Sequence, residues 1–470
     1  MPVEWTSFLP NDKSVHLLEH PYLFQDSKLV DYFRAINFAR MRKAFEDASY
    51  FMNRTQAMMS PMRLMTDPER RQQLFDQLRV PLSKFLVLEV RRDNILLDTF
   101  NSLWRREKRE LVRPLKVRLG EGAGEEGFDL GGVQQEFFRL AIAEALDPKY
   151  GAFTSDSQTR MTWLLPGSPE PDWKFQLIGL IFSLAIYNGV TLPITLPVAF
   201  YRKLLGLPVT DIEHIEDGWP DLAKGLTSLL KWDEKHGTVS DVFSRTYEFS
   251  VESFGAQISR DMQNSDRWPR FGAIELDNPA DANMVTIDNR EAYIRDYIKW
   301  LTDISIRPQF EAFRTGLTTC LSEKSLSLFK CDPTIFKAMT EGVQEIDVSE
   351  LQAVTRYVGW LGDESNPTIQ SFWSIVKSYD ASMKKKLLEF VTASDRVPVG
   401  GMKNVTFVIQ KNGDGSVGGE SAEGDQRKER RLPTSYTCYG TLLLPEYGSE
   451  ELLKKKLGMA LENAQGFGFA

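Results

Sequence analysis

Residues 432–447 read LPTSYTCYGTLLLPEY. A turn led by Pro433 runs into Cys438, and the apolar stretch TLLL follows. That order predicts a loop delivering a thiol to the entrance of a short strand. A structural cysteine fits more naturally inside the apolar run, as a small hydrophobe. A hydrolytic nucleophile needs a histidine base and an orienting acid. The four histidines, His16, His20, His214 and His236, all lie far upstream. A thiol acting without a base needs an easily attacked electrophile, and a thioester is one. Even an ordinary cysteine is a few per cent thiolate at neutral pH. The local residues therefore favour acyl transfer from a thioester over peptide hydrolysis, with a purely structural Cys438 still open.

Working outward, NVTFVIQ alternates Val405, Phe407 and Ile409 as a half-buried strand. SEELLKKKLGMALENA predicts an amphipathic helix, with Ser449 at its N-cap and Glu450 and Glu451 at its positive end. Between them, residues 411–431 hold five glycines and mixed charge, the composition of a flexible loop. Upstream, CDPTIFKAMTEGVQEIDVSELQAV carries Gly342 after one helix and before an acidic, short-element region. A hinge is expected at Gly342–Gln344, with a compact α/β unit over residues 345–470.

Residues 1–341 read as mainly helical. In the first segment Leu29, Tyr32, Phe33, Ile36 and Phe38–Ala39 recur at roughly helical spacing, and Ile95, Leu96, Thr99 and Leu103 define a second helix. Leu115, Val117 and Leu119 alternate as a strand before a glycine-rich turn, and Asp129 with two glycines marks the start of a helix through VQQEFFRLAIAEAL. Aromatic and polar residues alternate in VFSRTYEFSV, so Val239–Asn289 is expected to be a small α/β subdomain inserted in the helical body.

The chain has 470 residues, 42% hydrophobic and 26% charged, enough for sizeable cores in two to four units. A net charge of -8 argues against a general nucleic-acid or anionic-membrane binder. The apolar run Leu177–Val190 is too short to cross a bilayer, and no signal peptide is apparent. Three scattered cysteines do not make a disulfide framework, so a reducing cytoplasmic or nuclear setting is expected.

RLPTSYTCYGTLLLPEY and the ending ENAQGFGFA resemble the catalytic end of HECT-type ubiquitin ligases. Further blocks follow the family's order: EHPYLF, LEVRRDNILLD, GFDLGGVQQEFFRLAIAEALDPKYGAF, FQLIGLIFSLAIYNGVTLPITLPVAFYRKLLG, QFEAFRTG and FVTASDRVPVGGM. The resemblance covers essentially the whole chain. It implies an α+β, bilobal protein: a large, mainly helical N-lobe (residues 1–341, with the inserted subdomain at about 239–289), a hinge at 342–344, and a small α/β C-lobe (345–470). Cys438 would accept ubiquitin from a charged ubiquitin-conjugating enzyme as a thioester and pass it to a lysine of a protein substrate, with no metal or bound nucleotide.

The resemblance also implies further site residues. The conjugating enzyme would dock on Leu222, Leu226, Phe243 and Tyr293, although Leu222 and Leu226, at i and i+4, also suit core packing. Thr437 would hydrogen-bond near the reacting carbonyl or serve the turn alone. Asp395 and Arg396 lie in a block beside the active-site loop, where an internal ion pair is an equal reading. Phe467 matches a tail phenylalanine that orients the lobes. Pro148, Tyr150 and Phe153 lie where some members hold a second ubiquitin, a packed turn being the simpler reading.

Two positions depart from the family pattern. Tyr436 stands where a histidine is frequent, and Tyr439–Gly440 where Phe-Asn is frequent. Cys320 and Cys331 lack a zinc-ligand pattern, and Cys320 shares an apolar face with Phe313 and Leu317. The rival readings are a non-catalytic scaffold that keeps the fold and a cysteine hydrolase of ubiquitin-like tags. The chain is expected to be the C-terminal part of a larger protein.

Overall fold

The computed structural model describes residues 2–5, 7–8, 15–59, 83–120, 132–156, 159, 161–253, 256–269, 282–343, 345–392, 394–398, 401–412 and 431–463. Asp129, Gln344, Phe467 and most of the 411–431 loop lie outside them, and of Cys438 the backbone alone is described. Two compact units are present. The first comprises residues 1–124, 140–190 and 194–337; the second comprises 125–139, 191–193 and 338–470.

The first unit is mainly helical and carries α1 (Asp172–Tyr187), α2 (Pro220–Leu230), the strands β1 (Glu248–Ser253) and β2 (Ala256–Asp261), then α3 (Arg290–Thr302) and α4 (Arg307–Leu317), while α5 (Pro333–Glu341) begins in the first unit and ends in the second. From Leu177 to Tyr187 every residue of α1 is buried, as a helix apolar on all sides requires. Its main partner is α4, and two glycines let the backbones touch. A Cβ on Gly179 would lie 2.0 Å from the Phe313 carbonyl oxygen, and one on Gly316 would lie 1.9 Å from that of Gln176. Ser183, the polar residue in the apolar run, donates its hydroxyl to the Leu317 carbonyl at 2.5 Å and accepts the Cys320 N–H at 3.1 Å. Cys320 is fully buried beside it, as its place on the apolar face predicts.

The long helix Asp26–Met59 buries Leu29, Phe33 and Ile36. Phe38 departs from the expected face and is 67% exposed: two residues beyond Ile36 is about 200° around a helix. Residues 86–90 form a strand in a region read as helical. Leu86–Val90 pairs in parallel with Leu115–Leu119, burying Leu86, Leu88 and Val90. The alternation was there, but the partner strand lies too far along the chain for a hairpin turn to announce it.

Within residues 239–289 the structure has a short helix, Val239–Phe243, and the antiparallel pair β1–β2, with Val251 opposite Ile258. Phe249 of β1 packs edge-on against Trp268 and Tyr297, and the Tyr247 hydroxyl donates to Asp296 Oδ2 at 2.8 Å. These contacts fix the hairpin to α3.

The second unit contains α6 (Val348–Val354), β3 (Arg356–Val358), α7 (Pro367–Ser378), α8 (Ala381–Thr392), β4 (Val408–Lys411), β5 (Thr434–Tyr436), β6 (Thr441–Leu444) and α9 (Glu450–Asn463). Its sheet runs β3-β4-β6-β5, parallel except for the antiparallel edge strand β5. Phe407, Ile409, Leu442 and Leu444 of the sheet bury against Phe372 and Leu457 of the helices. Strand β4 begins at Val408, later than the alternation suggests, with Phe407 already in the core and Val405 at its margin. The Leu452 N–H donates to Ser449 Oγ at 3.2 Å, so α9 starts at the expected cap.

Candidate active site

Cys438 sits at the corner between the edge strand and the centre of the small sheet. Tyr436 of β5 pairs with Thr441 of β6, and residues 437–440 join them. Thr437–Tyr439 form a 3₁₀ turn, closed by the Gly440 N–H donating to the Thr437 carbonyl at 3.2 Å. Gly440 adopts φ +56°, the left-handed conformation glycine takes without penalty. The Val408 N–H donates to the Gly440 carbonyl at 2.8 Å, and a Cβ on Gly440 would lie 2.0 Å from the Thr406 carbonyl oxygen. The backbone of the cysteine turn is thus held from two sides, by its own hairpin and by the approach to β4. Helix α8 packs against the turn and β5, burying Leu387, Leu388 and Val391.

Ser435 and Thr441 are buried on either side, whereas Tyr436 and Tyr439 are 54% and 60% exposed. The turn therefore meets solvent through two phenol rings. Thr437 acts in the turn through its carbonyl, and its side chain is half-buried.

Each histidine is engaged locally in the first unit. His16 Nδ1 accepts the Leu18 N–H, and the Tyr22 hydroxyl lies 3.1 Å from His20 Nδ1. His214 Nδ1 accepts the Thr210 and Asp211 N–H groups, with burial holding the ring below its usual pKa. His236 packs edge-on against Trp232.

Asp395 and Arg396 come together as an ion pair, Nε to Oδ1 at 3.4 Å. Arg396 is buried, and the next residue, Val397, pairs with Val343, two residues beyond α5 and in the same unit.

Of the four expected docking residues, two are buried. Leu226 is buried on α2. Tyr293 is buried on α3 between Tyr247 and Tyr297, at centroid distances of 5.3 and 5.7 Å, and its phenol is pushed up to about 12 by burial. Leu222 and Phe243 are half-buried, the latter edge-on to Trp232 at 5.3 Å. Among the described residues here, Val242, Met284 and Ile287 are the large apolar side chains most open to solvent, at 46%, 41% and 40% exposure. Met284 pairs with Thr246, just after the Val242–Phe243 helix end. Sequence spacing gave no sign of these three, because it shows which residues share a face and not which face is left uncovered. After the Pro148–Tyr150 turn, Phe153 is buried at the start of a short strand, and the Lys174 ammonium lies 5.0 Å from the Tyr150 ring centre, an ordinary packed arrangement.

The model of the HECT-domain (ubiquitin-transferase) family matches residues 139–470. The chain belongs to this family, and its fold is a HECT domain of mixed helices and small sheets. It is 32% identical over 398 residues to the probable E3 ubiquitin-protein ligase HECTD2 of Mus musculus, covering 82% of this chain and 46% of that protein. It is 33% identical over 382 residues to the probable E3 ubiquitin-protein ligase HERC4 of Homo sapiens, covering 81% and 33%. The probable E3 ubiquitin-protein ligase HERC3 of Homo sapiens is 32% identical over 389 residues, covering 83% and 34%. The chain spans less than half the length of these curated relatives.

Proposed function

We propose that this chain is the catalytic portion of a ubiquitin ligase that works by a covalent relay through Cys438. The observation that carries the reading is a cysteine on a backbone-fixed turn, within a chain of the HECT family, in a unit whose sequence has no histidine. In the first step the Cys438 thiolate attacks the carbonyl carbon of the ubiquitin thioester on a conjugating enzyme. The new carbon–sulfur bond forms as the old one breaks, and the enzyme's thiolate leaves. Entering and leaving groups have comparable basicity, so no general base is required. In the second step a substrate lysine amine attacks that carbonyl, the amide forms, and the Cys438 thiolate departs. The lysine proton passes to solvent.

The two compact units are read as the lobes of such an enzyme, the chain passing from the first to the second at residues 337–338, just ahead of the hinge read at 342–344. The conjugating enzyme docks on the inserted subdomain around Leu222 and Phe243, with Val242, Met284 and Ile287 supplying exposed apolar area. Leu226 and Tyr293 support that surface from beneath. Thr437 holds the turn, and Phe467 orients the lobes for lysine transfer. The setting is cytoplasmic or nuclear, and the partners are ubiquitin, the conjugating enzyme and lysine-bearing substrate proteins.

The test is a single-turnover reaction with ubiquitin-charged conjugating enzyme, resolved on reducing and non-reducing gels beside Cys438→Ala. A thiol-sensitive adduct on the wild-type chain, absent from the variant, supports the relay. Binding of the conjugating enzyme with no adduct on the wild type converts the reading to a scaffold, and release of free ubiquitin to a hydrolase.

A further inference from the structure

Strand β5, which leads directly to Cys438, has three residues and lies at the edge of its sheet with β6 as its neighbour. Its pairs are Thr434 with Leu443, Ser435 with Leu442 and Tyr436 with Thr441. Three pairs hold a register weakly, and a slip of one residue turns every side chain to the other face. Here the two faces differ: Ser435 is buried, whereas Tyr436 is largely in solvent. A slip would also carry the backbone of Cys438 about 3.4 Å along the strand.

A second hold on β5 comes from beyond β6. The Tyr447 hydroxyl donates to the Arg431 carbonyl at 2.7 Å, three residues ahead of the strand. Pro433, between Arg431 and the strand, is buried. Tyr447 is also buried, its ring belonging to the apolar core that holds Leu444 and Leu453. The corner that carries it is itself fastened. The Asn412 N–H donates to the Leu444 carbonyl at 2.9 Å, and the Lys411 ammonium pairs with Glu446 at 2.6 Å. Burial pushes the Tyr447 phenol above its ordinary pKa, so it stays a neutral donor. The β5–β6 hairpin is thus tied at both ends, by Gly440 at the cysteine turn and by Tyr447 at the open end.

We infer that Tyr447 is a positioning residue for Cys438, fixing the register of β5 through the Arg431 carbonyl. It acts through the strand, from the end of the hairpin opposite the cysteine. This inference rests on the relay reading above.

Tyr447→Phe tests it, because the ring stays and the donor is lost. Tyr357→Phe is the control. It removes a phenol that accepts the Trp373 indole N–H at 2.9 Å, on the strand at the other edge of the same sheet. Each variant should lower the Tm by no more than about 5 °C, the scale of one hydrogen bond in a small domain. In single-turnover loading from ubiquitin-charged conjugating enzyme, Tyr447→Phe should cut the maximal rate at least about fivefold, the population ratio that one such bond controls. The half-saturating concentration should stay within twofold, since docking is assigned to the first unit, and Tyr357→Phe should load within twofold of wild type. Amide exchange read by mass spectrometry should be at least threefold faster over residues 432–436 of Tyr447→Phe and unchanged over Val408–Lys411.

Loading of Tyr447→Phe within twofold of wild type overturns the assignment. Equal slowing in both variants also overturns it, as a loss of general stability. Slowed loading with exchange unchanged at 432–436 would put Tyr447 against the reactants instead and overturn the positioning role. If the wild type forms no adduct, the relay fails and the anchor is judged by exchange alone, where an unchanged rate at 432–436 overturns it.

Discussion

The Thr406 carbonyl oxygen lies where a side chain on Gly440 would begin, 2.0 Å from the position of a Cβ there. This close approach, with the left-handed backbone of Gly440, fixes the turn that carries Cys438. The glycine found where the family frequently has asparagine thus has a physical reason in this chain. Two effects oppose any replacement, φ strain and the steric contact, and they can be separated because asparagine tolerates φ > 0 far better than alanine.

Gly440→Ala and Gly440→Asn should therefore both destabilise the chain, by roughly 3 kcal/mol, since overpacking against backbone dominates over φ strain of about 1 kcal/mol. Denaturant unfolding of both variants checks this. An asparagine variant as stable as the wild type would show that φ alone matters.

The α1–α4 crossing should be equally intolerant. Gly179→Ala and Gly316→Ala each place a methyl about 2 Å from a carbonyl oxygen of the partner helix. Each should cost about 3 kcal/mol, the upper range for overpacking, read as a lowered denaturant midpoint. Changes under about 1 kcal/mol would show that the helices can move apart freely.

The docking surface predicts a separation of binding from stability. Val242→Asp and Met284→Asp alter exposed side chains, so unfolding should shift by no more than about 0.5 kcal/mol. Affinity for a conjugating enzyme should fall at least tenfold by calorimetry or fluorescence polarisation. Leu226→Ala and Tyr293→Ala should instead lower stability by about 2–5 kcal/mol, as buried truncations do. Unchanged affinity in both aspartate variants would move the docking site elsewhere.

Acid should weaken one ion-pair cluster in the first unit. Burial alone would raise the Asp303 carboxyl, but hydrogen bonds from Arg307 at 2.6 Å and Lys203 at 2.7 Å outweigh it and hold its pKa below the usual carboxylate value. The same burial lowers Lys203 despite the pairing. A depressed carboxylate stabilises the fold above its unfolded pKa of about 4 and loses that contribution as pH falls through the folded value. The stability gap between wild type and Asp303→Asn should be constant from about pH 5 to 7 and shrink below about pH 4. A gap that grows on acidification would contradict the assignment.

Helices were legible where apolar spacing was regular: Leu29, Phe33 and Ile36 are buried as their positions predict, and so are Ile95, Leu96, Thr99 and Leu103. The strand Leu86–Val90 was not, because five alternating residues signal a strand weakly when the partner is distant and parallel. At the candidate site, Cys438 stood out through the company it lacks, a nearby histidine. The tight approach behind Gly440 depends on Thr406, a long-range contact no local pattern encodes. For the docking surface, periodicity identified Leu226 and Tyr293 as apolar positions of helices but could not say that their neighbours bury them. Val242, Met284 and Ile287 became visible only once the subdomain was assembled.

The central claim is that residue 438 itself carries ubiquitin, and Cys438→Ser tests it most directly. In a reaction with charged conjugating enzyme, the serine variant should accumulate an oxyester at residue 438, resistant to thiol and cleaved by mild base, located by peptide mass spectrometry. A thiol-sensitive adduct that persists in this variant, on Cys331 or elsewhere, would contradict the relay through Cys438.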